Sequence, residues 1–188
     1  MLTPTRKGPC GTVNLNRLLQ EALNPKAPGK REILWGERVF RVGDRIMQTR
    51  NDYDVVWQKA DGTVGTGMFN GDVGRIVEID QSGEWLALDF DGRTAPYSTE
   101  MLSEIDLAYA QTVHKAQGSE YRCVVLATMP SAPSLMVRGV LYTALTRARK
   151  LLVMVGDDAA VRSMAANDKQ QKRYSGLKWR LCHAGENG

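Results

Sequence analysis

Two clusters of polar side chains late in the chain have residue types and spacings suited to chemistry. In the first, Thr112, His114, Lys115, Gln117, Gly118 and Glu120 precede the apolar run Tyr121-Arg122-Cys123-Val124-Val125-Leu126-Ala127-Thr128. A hydroxyl, an imidazole and exposed N–H groups at a strand-to-helix junction can all contact phosphate oxygens. A carboxylate at a strand entrance can accept hydrogen bonds from a ribose, the place Glu120 occupies. A plain capped helix with an exposed glutamate accounts for the same letters, because a lone Thr-x-His is weakly specific. In the second cluster Arg138, Arg147 and Arg149 lie on or beside a helix predicted over residues 135–149. Arg138 and Arg149 are eleven residues apart, about three turns, so they share a face, and Arg147 points about 160° away from Arg149. An arginine beside Leu145 and Ala148 can reach across an interface to a γ-phosphate. Ordinary surface charge explains the same pattern. One absence matters as much: no GxxxxGK[ST] phosphate loop occurs anywhere.

These clusters need a scaffold. Tyr121 to Thr128 and Leu151-Leu152-Val153-Met154-Val155-Gly156 are nearly continuous apolar runs, the pattern of parallel strands buried on both faces. Asp157 is placed to cap a last helix running to about Ala166. Near the start, Leu2-Thr3 is a strand end broken by Pro4, and Thr12 is placed to cap a helix carrying Leu15, Leu18, Leu19, Ala22 and Leu23 at core-packing spacing. Val39-Phe40-Arg41-Val42 and Arg45-Ile46-Met47-Gln48 read as strands around a Gly43-Asp44 turn. From Tyr53 to Glu104 the texture changes. Asp61-Gly62, Asn70-Gly71, Ser82-Gly83 and Asp91-Gly92 mark tight turns between short strands. Leu86, Leu88 and Phe90 alternate with Trp85, Ala87 and Asp89, as in a half-buried strand. The pattern predicts an α/β parallel-sheet domain over 1–52 and 105–168, interrupted at 53–104 by a small antiparallel β-barrel of the SH3 or OB type. A basic tail, 169–188, follows.

Composition sets the outer limits. With 188 residues, 43% hydrophobic and 24% charged, the chain can bury one core plus a small satellite. No apolar run reaches membrane-span length, and the start lacks a signal-peptide core. The three cysteines are odd in number and lack CxxC spacing, which argues against a disulfide framework or a zinc site and for a cytoplasmic location. The net charge of +4 favours a polyanionic partner without demanding one.

The order of motifs resembles one family. Thr112-x-His114-x-x-x-Gly118-x-Glu120 before an apolar strand resembles motif V of superfamily 1 helicases, and Tyr142-Thr143-Ala144-Leu145-Thr146-Arg147-Ala148 resembles motif VI. Leu2 to Pro9 and Leu15 to Gln20 look like the motif IV region of the RecD/TraA-like branch, the exodeoxyribonuclease V α-subunit type. Gly43 to Tyr53 and Phe69-Asn70-Gly71-Asp72-Val73-Gly74 fit that branch too. The resemblance covers about residues 1–165.

It implies a second RecA-like domain (2A) with an SH3-like insertion (2B), part of an ATP-dependent helicase moving 5′ to 3′ on single-stranded DNA in recombination and repair. Arg147 would be the arginine finger; Gly118, Glu120 and Arg6 would face the nucleotide. Thr112, His114, Lys115 and Gln117 would touch the DNA backbone, and Gln48, Asn51 and Asn70 would contact DNA or a domain interface. The implied partners are single-stranded DNA, a P-loop domain of the same helicase and other exonuclease V-type subunits, with ATP and Mg²⁺ used by the intact enzyme. Lacking Walker A and Walker B elements, this chain reads as a C-terminal motor half that binds no cofactor tightly and does not hydrolyse ATP alone. The competing reading is a non-catalytic module for single-stranded DNA or protein, with Trp57, Trp85 and Tyr97 as stacking surfaces.

Overall fold

The computed structural model describes residues 1–168. The expected basic tail, 169–188, lies outside the described residues. The chain opens with β1 (Leu2–Thr3), then helix α1 (Thr12–Leu23), then the strand pair β2 (Glu32–Trp35) and β3 (Arg38–Arg41). Strands β4 (Arg45–Gln48), β5 (Asp52–Gln58), β6 (Val64–Met68), β7 (Val73–Ile79), β8 (Trp85–Phe90) and β9 (Arg93–Ser98) follow. A 3-10 helix (Thr99–Glu104) leads to β10 (Ile105–Leu107). The last elements are β11 (Gln111–Thr112), β12 (Tyr121–Thr128), α2 (Arg138–Leu145), β13 (Ala148–Gly156) and α3 (Asp158–Ala166).

Two sheets result. The four strands ordered β11-β1-β12-β13 are all parallel. The other sheet is antiparallel, in the order β10-β4-β7-β8-β9-β5-β6. A parallel-sheet layer interrupted by an antiparallel unit is therefore present, as the sequence predicts. The antiparallel sheet extends beyond residues 53–104, because β4 pairs with β7 on one side and β10 on the other. The β3–β4 segment is not a hairpin: β3 pairs with β2, a strand the sequence reading left out.

Each sheet has its own core. Leu86, Leu88 and Phe90 of β8 are fully buried with Ile46, Ile76, Tyr97 and Ile105. Leu2, Val124, Leu126, Val140, Ala144 and Met164 form the second core, where α2 and α3 cover one face of the parallel sheet. The opposite face is open among the described residues: Leu151, Val153 and Val155 are exposed, and so is Val125. Burial of β12 and β13 on both faces is thus not observed, since β13 is an edge strand and both helices pack on one side.

Helix α1 reverses the expected pattern. Its buried residues are Asn16 and Gln20, with Asn24 one turn further on, while Leu18 and Leu23 are exposed. The polar stripe is buried because every amide finds a fixed partner. Asn16 Nδ2 donates to the carbonyls of Leu107 (2.9 Å) and Ala110 (3.0 Å), and Asn16 Oδ1 accepts from Ala110 N (2.7 Å). Gln20 Nε2 and Asn24 Nδ2 each donate to Asp44 at 2.6 Å. The helix starts after Gly11 rather than after Thr12, which is its first helical residue. A Cβ at position 11 would lie 2.5 Å from the backbone of Arg6 and Lys7, so only glycine lets that loop fold against the helix start.

The Asp44 carboxylate is fully buried. It also accepts from Arg41 N (2.7 Å) and the Tyr109 hydroxyl (2.8 Å). Burial and then the bond to Asp44 push the Tyr109 phenol from its ordinary value near 10 up to about 12. The Tyr97 phenol is pushed up as well, first by burial and then by the Asp52, Glu104 and Asp72 carboxylates. Each tyrosine binds its proton more tightly when folded than when unfolded. Their contribution is present below pH 10 and is lost as pH rises towards the folded value. Urea midpoints measured across this alkaline range should fall with pH, and Tyr109→Phe should shallow the decline. An unchanged slope would remove Tyr109 from this role.

Candidate functional site

The first polar cluster is split between opposite ends of the parallel strands, Thr112 at one end and Gly118 and Glu120 with Arg147 and Arg149 of the second cluster at the other. Leu2 pairs with both Gln111 and Leu126, so Thr112, opposite Thr3, lies level with Ala127. Tyr121 opens β12 six residues earlier, which at about 3.3 Å per residue is roughly 20 Å away along the sheet. The segment between them is a run of turns rather than a helix. The Thr112 hydroxyl accepts from Lys115 N (3.3 Å), and the Gln117 N–H reaches the His114 carbonyl (3.2 Å).

At the edge where β12 and β13 begin, Arg147 meets Ser119. The expected helix over 135–149 ends instead at Leu145, and Ala148 already pairs with Tyr121 as the first residue of β13. Arg149 is therefore a strand residue and shares no helical face with Arg138. Arg147 sits in the turn between helix and strand. Its Nη1 donates to Ser119 O (3.0 Å), its Nε to Thr143 O (3.2 Å) and its Nη2 to the Thr146 hydroxyl (3.2 Å). The Tyr121 N–H returns a bond to Arg147 O (2.8 Å). No carboxylate pairs with Arg147 among the described residues. Glu120 instead forms an ion pair with Arg149, both side chains largely exposed, a partnership the sequence reading missed. Gly118 turns the chain into this corner at φ +84°. Arg147, Gly118 and Glu120 thus come together around Ser119, with a half-buried guanidinium that no carboxylate among the described residues compensates.

At the other edge a groove of about 700 Å³ runs between the parallel sheet and the antiparallel unit, and Arg6, Thr12, Arg50, Thr112 and Lys115 line it. Arg6 is therefore not with Glu120, where the nucleotide assignment needs it. It leaves the opposite end of β1 and makes a loose ion pair with Asp106 (3.7 Å). Asp106 is also held by Arg38 Nη1 (2.5 Å), which stacks on Trp35. Lys115 is exposed, yet the groove wall desolvates its ammonium and lowers its pKa; Asp106 opposes this and Arg6 adds to it. His114 and Gln117 are exposed and do not line the groove.

The remaining expected contacts divide. Gln48 is fully buried: its amide donates to Glu104 (3.1 Å) and accepts from the Tyr97 hydroxyl (3.1 Å), so it orders the core and reaches no ligand. Asn51 and Asn70 are exposed and joined, Asn51 Oδ1 accepting from Asn70 N (2.9 Å). Tyr97 cannot be a stacking surface because it lies wholly within the core. Arg50 is exposed, just beyond the end of β4.

Comparison with known proteins agrees with this layout. The model of the SH3 domain of ATP-dependent RecD-like DNA helicases matches residues 15–90, and that of the UvrD-like helicase C-terminal domain matches residues 107–155. The ATP-dependent RecD2 DNA helicase of Deinococcus radiodurans is 37% identical over 97% of this chain and 23% of its own length. The RecBCD enzyme subunit RecD of Mycolicibacterium smegmatis is 32% identical over 98% of this chain and 29% of its own. The chain thus spans under a third of these relatives. Among solved structures, Pif1 helicase from Bacteroides in complex with ADP-AlF3 and ssDNA superposes with a TM-score of 0.55 at 17% identity, over 99% of this chain and 46% of that one. At that identity the likeness carries the fold, a RecA-like sheet with an SH3-like insertion. Among the described residues no helix is long and apolar enough to cross a membrane.

Proposed function

The chain belongs to the RecD-like DNA helicase family, matching its SH3 domain and the UvrD-like C-terminal domain, and from that premise we propose that it works as the 2A–2B half of an ATP-driven DNA motor. In this reading it supplies an arginine finger to a nucleotide held by a P-loop domain and binds single-stranded DNA through its backbone. Translocation is 5′ to 3′, and ATP-driven closure against the P-loop domain is the power step.

One observation carries the reading: Arg147 is fixed beside Gly118 and Glu120 where the strands β12 and β13 begin, with no ion-pair partner among the described residues. Its three bonds leave N–H groups on both terminal nitrogens free for an anion. A guanidinium held this way meets the charge that develops on a γ-phosphate without first reorganising. In this reading the P-loop domain would hold the Mg²⁺; among the described residues of this chain no group of His, Cys, Asp or Glu is placed to hold an ion. The chain's own contribution is cationic, and alone it is expected to leave ATP intact. Relatives named as RecBCD subunits support other exonuclease V-type chains as partners.

The groove supports the DNA half of the reading. Thr112 can donate its hydroxyl hydrogen while accepting from Lys115 N, and Arg6, Arg50 and Lys115 supply positive charge. Contacts of this kind are sequence-independent and salt-sensitive. Lys115→Gln should weaken oligonucleotide binding and reduce the magnitude of the log-affinity against log-salt slope by about 0.7. Fluorescence anisotropy across a salt series reads this directly. A slope equal to that of the unaltered chain would take Lys115 out of the DNA path.

A further inference from the structure

The antiparallel unit exposes an aromatic pair that the motor reading does not use. Tyr53 is 65% exposed and Phe69 43%, and their rings meet edge to face with centroids 5.8 Å apart. Three features build this pair. Asp52 pairs with Met68 and Val56 with Thr66, so β5 holds two more residues than β6 across the same stretch, a bulge containing Tyr53. Bulges of this kind re-aim side chains at the rims of sheets. Facing the bulge, Gly67 adopts φ +93°, and a Cβ there would lie 3.1 Å from Phe69 Cζ, so glycine makes room for the ring. The loop is then tied down: Phe69 N donates to Asp72 (3.1 Å), which Arg93 also holds (3.1 Å), and Asn51 Nδ2 reaches the Tyr53 hydroxyl (3.3 Å). Exposed rings held in one geometry lose little entropy on binding.

Their position indicates the ligand. Arg50 lines the basic groove, and Tyr53 follows it by three residues on the same stretch of chain, roughly 10 Å. A single strand whose phosphates lie along Arg6, Lys115 and Arg50 brings its next base to the rings. Resting on the motor reading, we propose that Tyr53 and Phe69 form a stacking platform for an unpaired base of the DNA strand leaving the groove beside Arg50. Stacking is tolerant of base identity because every base has a π-face. The platform therefore adds grip without sequence preference. The Asn51 and Asn70 amides flank the same spot.

The test uses the whole chain with a labelled oligothymidylate and an abasic oligomer of equal length, by anisotropy at two salt concentrations. The unaltered chain should bind the thymidylate roughly tenfold more tightly than the abasic strand. Phe69→Ala should abolish that difference while keeping the salt slope, and Phe69→Trp should preserve it. Because Tyr53→Ala also alters an exposed side chain, it should behave like Phe69→Ala without lowering the melting temperature much. Equal affinity of the unaltered chain for both strands, or a preference that survives Phe69→Ala, overturns the platform and leaves the groove intact. Loss of binding to a P-loop domain with the base preference unchanged makes the pair a protein contact and also overturns it. If neither strand binds at any salt, the DNA reading itself fails and takes the platform with it.

Discussion

Arg147→Ala is expected to lower ATP hydrolysis by about 10³-fold or more in a motor where this chain is combined with its P-loop domain and single-stranded DNA. The expectation follows from where the guanidinium is held. Bonds to Ser119 O, Thr143 O and the Thr146 hydroxyl fix its plane, and among the described residues no carboxylate neutralises it. Arg147→Lys should not rescue the rate, because an ammonium cannot hold two carbonyls and still present a planar pair of donors to a phosphate. Arg149→Ala is the matched control. That arginine already pairs with Glu120 on the surface, so its loss should cost far less. The lost hydrogen bonds of Arg147→Ala should destabilise the fold by about 1–3 kcal/mol, and DNA affinity at the far edge of the sheet should stay within a few-fold. Single-turnover hydrolysis, melting and anisotropy separate these effects. A rate within tenfold of the unaltered motor would show that Arg147 only braces the turn.

The parts of this architecture readable in the sequence are those set by local rules. Asp91-Gly92 makes the β8–β9 turn with positive φ at both residues, and Leu86, Leu88 and Phe90 are buried as their alternation predicts. Asp157 accepts from Ala159 N at the start of α3. The meeting of Arg147 with the Gly118–Glu120 corner was suggested by motif order and depends on the parallel pairing of β12 with β13. What stayed hidden is non-local. On a helical wheel the leucines of α1 look like the buried face, and only the carbonyls and the carboxylate waiting on the other side turn Asn16 and Gln20 inward. Gln48 looked like a polar residue available to DNA because nothing in its neighbourhood announces Tyr97 and Glu104. The helix expected to run to residue 149 stops at Leu145, because Thr146 and Arg147 form a turn and the pairing of Ala148 with Tyr121 draws Ala148 and Arg149 into a strand. Arg6 was assigned by motif likeness alone, and the direction of β1 carries it to the opposite edge.

Asp44→Ala should destabilise the chain by about 3–5 kcal/mol, measured as a shift in the urea midpoint at constant slope. The carboxylate is wholly buried and receives Gln20, Asn24, Arg41 N and Tyr109. The two amides keep second acceptors, the carbonyls of Val39 and Val42, but the Tyr109 hydroxyl and the Arg41 N–H lose their carboxylate partner. Each stranded buried donor costs roughly 1–3 kcal/mol, and the cavity adds to that. Asp44→Asn should fare little better, since its NH₂ would face a donor whichever way it turned. The consequence goes beyond stability. Gln20 and Asn24 belong to α1 and its end, Arg41 precedes the first leg of the antiparallel unit, and Tyr109 follows its last strand, so one carboxylate fastens both connections to the same helix. Asn16 repeats the tie at Leu107 and Ala110. Loosening Asp44 should therefore also weaken the groove that lies between the two sheets, lowering DNA affinity although Asp44 touches no ligand. Tyr109→Phe, which removes one donor and leaves the carboxylate, should cost less on both measures. If Asp44→Ala unfolds at the same urea concentration as the unaltered chain, the seam is held elsewhere.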